Sequence, residues 1–577
     1  MIYGRSTKNV ISLPAWRRRV LLVFLLLGFV LLMFESMYLQ NTNKEFLQKK
    51  GDDRYSRTLK LQAYRGKISD RNGEILAVNS PVASVWVDPS EIEMDAKQKE
   101  MLAKVLKVNT REIDEKVANR KRSFVYVKRR ISPDLAEKVK DLNISGIYLE
   151  REYRRFYPAG DVVSHVVGFT GVDGDGQEGV ELKENEMLSG VPGKRRVIKD
   201  RQGHVVEELE VISEPRDGEA LVLSIDRRIQ YLAFRELAKA VVRFKAKAAS
   251  TVILDARTGE VLAMVNLPTY NPNNPVNIKG KTRNRAVTDM FEPGSTMKPV
   301  AAAAGMQYGG YSSSTLIDTS PGYMTIGPAT IHDTHPSKTL SVAEVVKKSS
   351  NVGAAKIALS LDKEKLWNTF RDLGFGARTQ VRFPGEARGM VRDYKGWRPI
   401  EQATMSYGHG ISVTLLQLAR AYTVFANHGK LMPVTLEKLE KAPEGVEVFR
   451  PRVANDVKDM LEMVVQPGGT GVNAQVPGYR VAGKTGTAHK LGAHGYEKDK
   501  YVGSFVGMAP ASDPRLIMAV MIDEPNSGQY YGGTVAAPVF SAVMADVLRL
   551  LAVPQDAPND NVVIPAAENP DDVKEMV

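Results

Sequence analysis

The 577-residue chain contains no cysteine, which removes disulfides, thiolate metal sites and cysteine nucleophiles together. That absence is compatible with either side of a membrane. No zinc-finger, homeodomain or RNP signature accompanies the formal charge of +12, and the basic residues are spread along the whole chain. Nucleic-acid binding is therefore not expected, whereas an anionic polymer or a membrane surface suits the charge equally well. No internal repeat is visible, and no long segment apart from the ends is poor enough in apolar residues to be disordered. What is present, 43% hydrophobic and 25% charged residues, is the composition of a globular protein, long enough for roughly two to four folding units.

The first 19 residues hold Arg5, Lys8, Arg17, Arg18 and Arg19 and no acidic side chain. An apolar run follows from Val20 to Phe34, and Met37, Tyr38 and Leu39 extend it across Glu35 and Ser36. Segment 20–39 predicts a single membrane-spanning helix, which needs roughly 20 apolar residues. A cleaved signal peptide ends at a small-x-small site, and Glu-Ser-Met-Tyr-Leu-Gln offers none. The arginines predict that residues 1–19 form a cytoplasmic tail and that everything after about residue 42 lies outside.

From 43 to 216, short apolar runs alternate with charged turns, and Asn72-Gly73, Asp173-Gly174 and Asp175-Gly176 predict hairpins and tight turns. No constellation in this region can perform chemistry, so it reads as a spacer or interaction domain. After Pro215-Arg216-Asp217-Gly218 the composition shifts. Leu221 to Ile225 predicts a strand, a helix begins near Asp226, and Thr251 to Leu254 and Val261 to Val265 flank a turn. Further helices are expected near 296–308, 341–360, 413–426, 455–465 and 538–551, with strands near 481–488, 501–508 and 516–522. The segment 221–552 thus predicts a mixed domain of helices packed on a sheet. The tail, 553–577, is acidic with repeated Pro, Asn and Asp, and predicts disorder.

Chemistry is expected first at Phe291-Glu292-Pro293-Gly294-Ser295-Thr296-Met297-Lys298-Pro299. Pro299 requires that the helix begin close to Ser295, which puts the hydroxyl at a positive helix end. Serine and lysine three apart share a helix face, so the Lys298 amine can take the Ser295 proton if burial or neighbouring cations lower its pKa. The spacing alone is weak: Ser360-Leu361-Asp362-Lys363 repeats it at the end of a helical pattern, where an exposed helix terminus is the better reading. What distinguishes Ser295 is Ser349-Ser350-Asn351 and then Lys484-Thr485-Gly486-Thr487 downstream, the ordered trio of penicillin-recognising serine enzymes. Ser349 can relay a proton between lysine and leaving group, and Asn351 can hold a substrate amide and orient Lys298. Val481 to Ala488 predicts an edge strand on which Gly486 lets a peptide lie close, while Lys484, Thr485 and Thr487 meet a substrate carboxylate. The backbone N–H groups of Ser295 and Thr487 are candidates for the oxyanion hole.

Residues from about 60 to 552 resemble the class B penicillin-binding proteins, and among them the division-type transpeptidases. Besides the trio, the resemblance is carried by Arg65-Gly66 with Asp70-Arg71-Asn72-Gly73, Gly168-Phe169-Thr170, Gly176-Gln177-Glu178-Gly179, Arg283-Asn284-Arg285, Phe291-Glu292-Pro293-Gly294 and Tyr530-Tyr531-Gly532-Gly533. It implies a multidomain α/β (α+β) architecture. A single transmembrane helix is followed by an elongated non-catalytic pedestal of the dimerisation type over 43–216. The transpeptidase domain over 221–552 is then an antiparallel sheet sandwiched by helices, as in β-lactamases. It further implies that Ser295 attacks the penultimate D-alanine carbonyl of a peptidoglycan stem peptide, expels the terminal D-alanine, and passes the acyl group to a side-chain amine on a neighbouring stem. β-Lactams would acylate Ser295, and no cofactor would be used. The implied partners are stem peptides on nascent or lipid-linked glycan, a membrane glycosyltransferase and other division proteins. The implied place is the inner membrane at the septum, with the catalytic domain outside.

His409, in Ser406-Tyr407-Gly408-His409-Gly410, stands where the family leads one to expect an aromatic residue, and the acidic tail has no assignable counterpart. His332-Asp333-Thr334-His335 and the pair His489 and His494 lack a third ligand at metal spacing, so no metal site is expected. The alternatives are an elongation-type transpeptidase, a D,D-carboxypeptidase or β-lactamase that passes the acyl group to water, and a non-catalytic scaffold.

Overall fold

The computed structural model describes residues 14–41, 56–122, 124–199, 205–276, 278–492 and 495–558. Most of the expected cytoplasmic tail, the acidic tail from 559 onward and His494 lie outside the described residues. The apolar run forms one helix, Ala15–Asn41, of 27 residues, about 40 Å long at 1.5 Å per residue. Within it Phe24, Leu25, Leu32 and Phe34 are exposed, and none of its apolar window is buried within the protein. A helix of this length and surface suits a single membrane pass, where every backbone polar group is satisfied internally.

The chain divides into two compact units, Met1–Tyr64 with Gly190–Asp217, and Arg65–Ser189 with Gly218–Val577. The first carries a three-stranded antiparallel sheet in the order Ser56–Leu61, Gly193–Lys199, Val205–Ser213. In the second unit, Arg65–Ser189 contains the long strand Ile75–Val87 between Val125–Ile131 and Ile147–Phe156. Helices Ala96–Leu106, Thr110–Val117 and Pro133–Asp141 cover a core built on Val85, Val87, Leu102, Leu106 and Val127. Asn72-Gly73 turns the chain between Ile68–Ser69 and Ile75–Val87, with Gly73 at φ +88°.

Polar contacts hold this segment to the C-terminal part of the same unit. Asp70 accepts the Arg227 N–H at 3.0 Å, Asn72 donates to Asp226 at 2.9 Å, and the Arg71 N–H reaches the Ile225 carbonyl. The expected strand Leu221 to Ile225 is shorter for the same reason. Leu221–Val222 pairs parallel to Ile68–Ser69, Leu223 forms a single antiparallel bridge to Glu437, and the N–H groups of Ser224 and Asp226 turn to the Leu436 and Leu262 carbonyls.

The C-terminal part opens with α1 (Arg227–Arg243), capped by Asp226, followed by β1 (Ala248–Asp255) and β2 (Val261–Leu267). Helices α2 (Lys298–Tyr308), α3 (Val342–Lys348), α4 (Asn351–Leu359), α5 (Leu415–Ala426) and α6 (Pro451–Val465) follow. Strands β3 (Ala482–Gly492), β4 (Gly495–Ala509) and β5 (Leu516–Asp523) and helix α7 (Ala537–Leu550) complete it. The sheet order is β2-β1-β5-β4-β3, antiparallel throughout, with β3 at the edge. Alternation along β5 explains the sandwich: Met518, Val520 and Ile522 pack with α1 and α7, while Ile517, Ala519 and Met521 join the core of α2 and α5. Because both faces are covered, β5 reads as a continuous apolar run.

The helix expected over 341–360 is two helices. Ser349 takes the left-handed conformation at φ +61°, and Ser350 caps α4 by accepting the Gly353 N–H. Three short polar residues in a row bond the backbone locally instead of extending the helix.

Candidate active site

Gly294 at φ +59° turns the chain into a short 3-10 segment, Gly294–Met297, and α2 starts at Lys298 with Pro299 in its first turn. Ser295 is half-buried, whereas Lys298 is 1% exposed. The Lys298 Nζ lies 2.9 Å from Ser295 Oγ and 3.0 Å from Ser349 Oγ, and also bonds the Ser349 carbonyl. Burial holds the Lys298 ammonium well below its ordinary range, and the nearby Lys484 charge lowers it further, against a smaller opposing pull from Asp333. A neutral amine has two N–H donors and one lone pair. The two Ser349 oxygens take the donors, which leaves the lone pair for the Ser295 hydroxyl proton.

Lys484, fully buried on β3, points its Nζ to Ser349 Oγ at 3.0 Å and to the Thr485 carbonyl and hydroxyl at 3.4 Å. Burial pulls its pKa down to about 7. Ser349 Oγ therefore bridges two amines, and two ammonium charges sharing one hydroxyl in a dry site repel, which disfavours carrying a proton on both at once.

The Ser349 turn is held from below. Asp333 accepts the Ser350 hydroxyl at 2.6 Å and the backbone N–H groups of Asn351 and Val352, capping α4 from a distant loop. Asn351 donates its side-chain amide to the His332 carbonyl at 2.8 Å rather than to Lys298. In the sequence, His332 to His335 are candidates only as metal ligands, no metal site is expected there, and Asp333 has no role of its own. Among the described residues no group of three His, Asp or Glu side chains is placed to share a metal ion.

Gly486 explains how β3 passes so close to the nucleophile. A β-carbon there would lie 2.4 Å from Ser504 Oγ, 2.8 Å from the Pro293 carbonyl oxygen and 3.0 Å from Thr296 Cγ2. On the next residue, the Thr487 hydroxyl accepts the Gly532 N–H at 3.0 Å, and a β-carbon on Gly294 would be 3.5 Å from the Thr487 nitrogen. The backbones on either side of Ser295 and Thr487 thus run side by side, with Thr487 half-buried. Thr485 bonds Thr470 at 2.8 Å. Tyr422, which no motif singled out, is fully buried on α5 and donates its hydroxyl to the Thr296 carbonyl at 2.8 Å, fixing the nucleophile turn. Its signal was only that of a core aromatic.

Comparison with known proteins agrees with this arrangement. Residues 249–545 match the penicillin binding protein transpeptidase domain, and residues 60–223 the penicillin-binding protein dimerisation domain. The chain is 43% identical over 532 residues to a probable peptidoglycan D,D-transpeptidase PenA of Neisseria meningitidis, covering 91% of each. It is 40% identical over 551 residues to the peptidoglycan D,D-transpeptidase FtsI of Escherichia coli, covering 94% of this chain and 93% of that one. Among solved structures, the apo transpeptidase domain of penicillin-binding protein 3 from Burkholderia pseudomallei is 48% identical, with a TM-score of 0.54 over 58% of this chain and 98% of that one. A peptidoglycan synthetase from Bifidobacterium adolescentis, at 24% identity, shares the fold with a TM-score of 0.70 over 88% of this chain and 99% of that one. The chain belongs to the penicillin-binding proteins, in the family of the FtsI and PenA peptidoglycan D,D-transpeptidases.

Proposed function

We propose that the protein is a peptidoglycan D,D-transpeptidase that cross-links stem peptides of the septal wall, with Ser295 as nucleophile and Lys298 as general base. The observation that carries this reading is the unbroken set of contacts from Ser295 through Lys298 and Ser349 to Lys484. In acylation, Lys298 takes the Ser295 proton, Oγ bonds the penultimate D-alanine carbonyl carbon, and the backbone N–H groups of Ser295 and Thr487 meet the oxyanion. The C–N bond then breaks, and the proton reaches the departing D-alanine nitrogen through Ser349. Lys484, Thr485 and Thr487 hold the substrate carboxylate, Gly486 admits the peptide beside β3, and Asn351 holds a substrate amide. A side-chain amine of a second stem completes the reaction by displacing Oγ.

The domain assignment that goes with this reading is an anchor at 20–39, a pedestal over 43–216 and a transpeptidase domain over 221–552. In the cell it is a single-pass inner-membrane protein with its N-terminus in the cytoplasm. It works at the septum beside a membrane glycosyltransferase and other division proteins, and β-lactams trap it. Incubating wild type and Ser295→Ala with fluorescent penicillin tests the centre of the claim; equal labelling would end it. Turnover of the β-lactam without trapping would favour a hydrolase. Depletion in the host is expected to give filaments, whereas rounded cells would favour an elongation role.

A further inference from the structure

The mechanism above gives Glu292 no task, yet its carboxylate lies three residues before Ser295 and is only 8% exposed. It accepts the Gly410 N–H at 2.8 Å and the Tyr496 hydroxyl at 2.9 Å on one oxygen and 3.1 Å on the other. Those bonds leave lone pairs to spare. Among the described residues no Lys or Arg side chain forms an ion pair with it. The arginines nearest in sequence, Arg283 and Arg285, are paired with Asp289 at 2.9 and 2.8 Å, and Arg392, which approaches Gly410, is paired with Glu401 at 2.9 Å. A carboxylate withdrawn from water without a counter-cation is costly to the fold, and the cost is relieved when a ligand brings the cation.

The surroundings suit an ammonium. His409 stands with its ring centroid 5.2 Å from that of Tyr407 and 6.2 Å from that of Tyr496, and His489 reaches Tyr496 at 6.4 Å. Aromatic faces beside a carboxylate attract a cation from two sides. His409 faces Glu292 and Lys298 from the nucleophile segment and His489 from β3, and burial lowers its pKa from the ordinary 6.5. The imidazole is therefore neutral at pH 7 and does not supply the missing charge. The loop is also in the right place: a β-carbon on Gly408 would lie 2.3 Å from the Gly294 carbonyl oxygen, so the chain carrying His409 and Gly410 presses on the residue before the nucleophile.

We propose that Glu292, with Tyr496 and His409 around it, is the subsite that binds the side-chain ammonium of the acceptor stem and holds it beside the acyl group on Ser295; for attack the ammonium gives one proton to the Lys298 amine, and the second leaves with the departing Ser295 Oγ. This rests on the transpeptidase reading and adds to it a second charge selection. The donor brings a carboxylate to Lys484, and the acceptor brings a cation to Glu292. Opposite charges in the two subsites keep donor and acceptor from exchanging places.

The test uses the full chain in detergent, a thioester donor, and an acceptor peptide with a free side-chain amine. Two further peptides cannot attack: one has the amine trimethylated and keeps its charge, the other has it acetylated and is neutral. Glu292→Gln, which keeps the shape and the Gly410 bond, is expected to raise the acceptor KM about tenfold while acylation by fluorescent penicillin and donor hydrolysis stay within about twofold. An unchanged acceptor KM, or a parallel loss of acylation, overturns the subsite. Should the variant not fold, wild type alone decides: the trimethylated peptide is expected to inhibit aminolysis at least about tenfold better than the acetylated one, and equal potency overturns the proposal. Equal penicillin labelling of wild type and Ser295→Ala would instead overturn the reading beneath it.

Discussion

The chain contains the same four-residue spacing twice, Ser295 to Lys298 and Ser360 to Lys363, and folds the two into opposite environments. At the first, one continuous turn leads into α2 and the lysine is 1% exposed, with its amine 2.9 Å from the serine. At the second, the chain breaks between the two residues. Ser360 ends α4 and bonds the Ile357 carbonyl at 2.7 Å and the Tyr311 hydroxyl at 2.9 Å, while Asp362 caps the next helix, Lys363–Asp372. Ser360 is exposed and Lys363 partly so. Spacing lets two side chains meet only when one continuous turn carries both, and burial, helped by a neighbouring charge, is what lowers the amine's pKa.

The sharpest way to break this contrast is to remove the four side chains one at a time. Ser295→Ala and Lys298→Met are each expected to lower penicillin acylation by about a thousandfold or more, and Ser360→Ala and Lys363→Met to leave it within about twofold; stopped-flow labelling measures all four. The next effect in size belongs to the strand that the second pair lacks. Gly486→Ala places a methyl against Pro293 and Thr296, displaces β3 from the nucleophile turn, and is expected to cost about a hundredfold in acylation with Tm lowered but folding intact by circular dichroism.

Lys484→Gln sharpens the electrostatic half of the comparison. Removing the charge that disfavours a protonated Lys298 raises the Lys298 pKa, so the rising limb of acylation against pH is expected to move to higher pH, along with a lower maximal rate. An unmoved limb would mean that burial acts alone. The smallest effect contrasts two helix caps. Asp333→Asn loosens α4 under Ser349 and is expected to cost about 1 kcal/mol and to slow acylation severalfold. Asp362→Asn, at the exposed cap beside Lys363, is expected to cost only a few tenths of a kcal/mol by denaturant melts.

Much of the site was legible because its residues are local signals with fixed spacing. The trio named Ser295, Lys298, Ser349 and Lys484, which the structure brings within hydrogen-bonding distance of one another, and apolar periodicity located α1, α2, α5, α6 and α7 and the strands of the sheet within a few residues. What was not legible depends on partners far apart in sequence. Asp333 received no role because its three bonds are to residues 17 to 19 positions away. Tyr422 read as core because the carbonyl it holds is 126 positions away. The break between α3 and α4 was hidden by apolar positions that continue the helical pattern on both sides of Ser349.

The amino-acid order by itself determined which groups are available, which of them share a turn or a strand, and that the chain starts with a helix apolar enough for a membrane. Those properties follow from periods of two and 3.6 residues and from the chemistry of single side chains. The tertiary structure alone decided which serine stands beside a buried amine, that two lysines share the Ser349 hydroxyl, and that Glu292 is buried with no ion-paired cation among the described residues. Each of these is a matter of desolvation and of charges within a few ångströms, and neither exists until distant segments pack together.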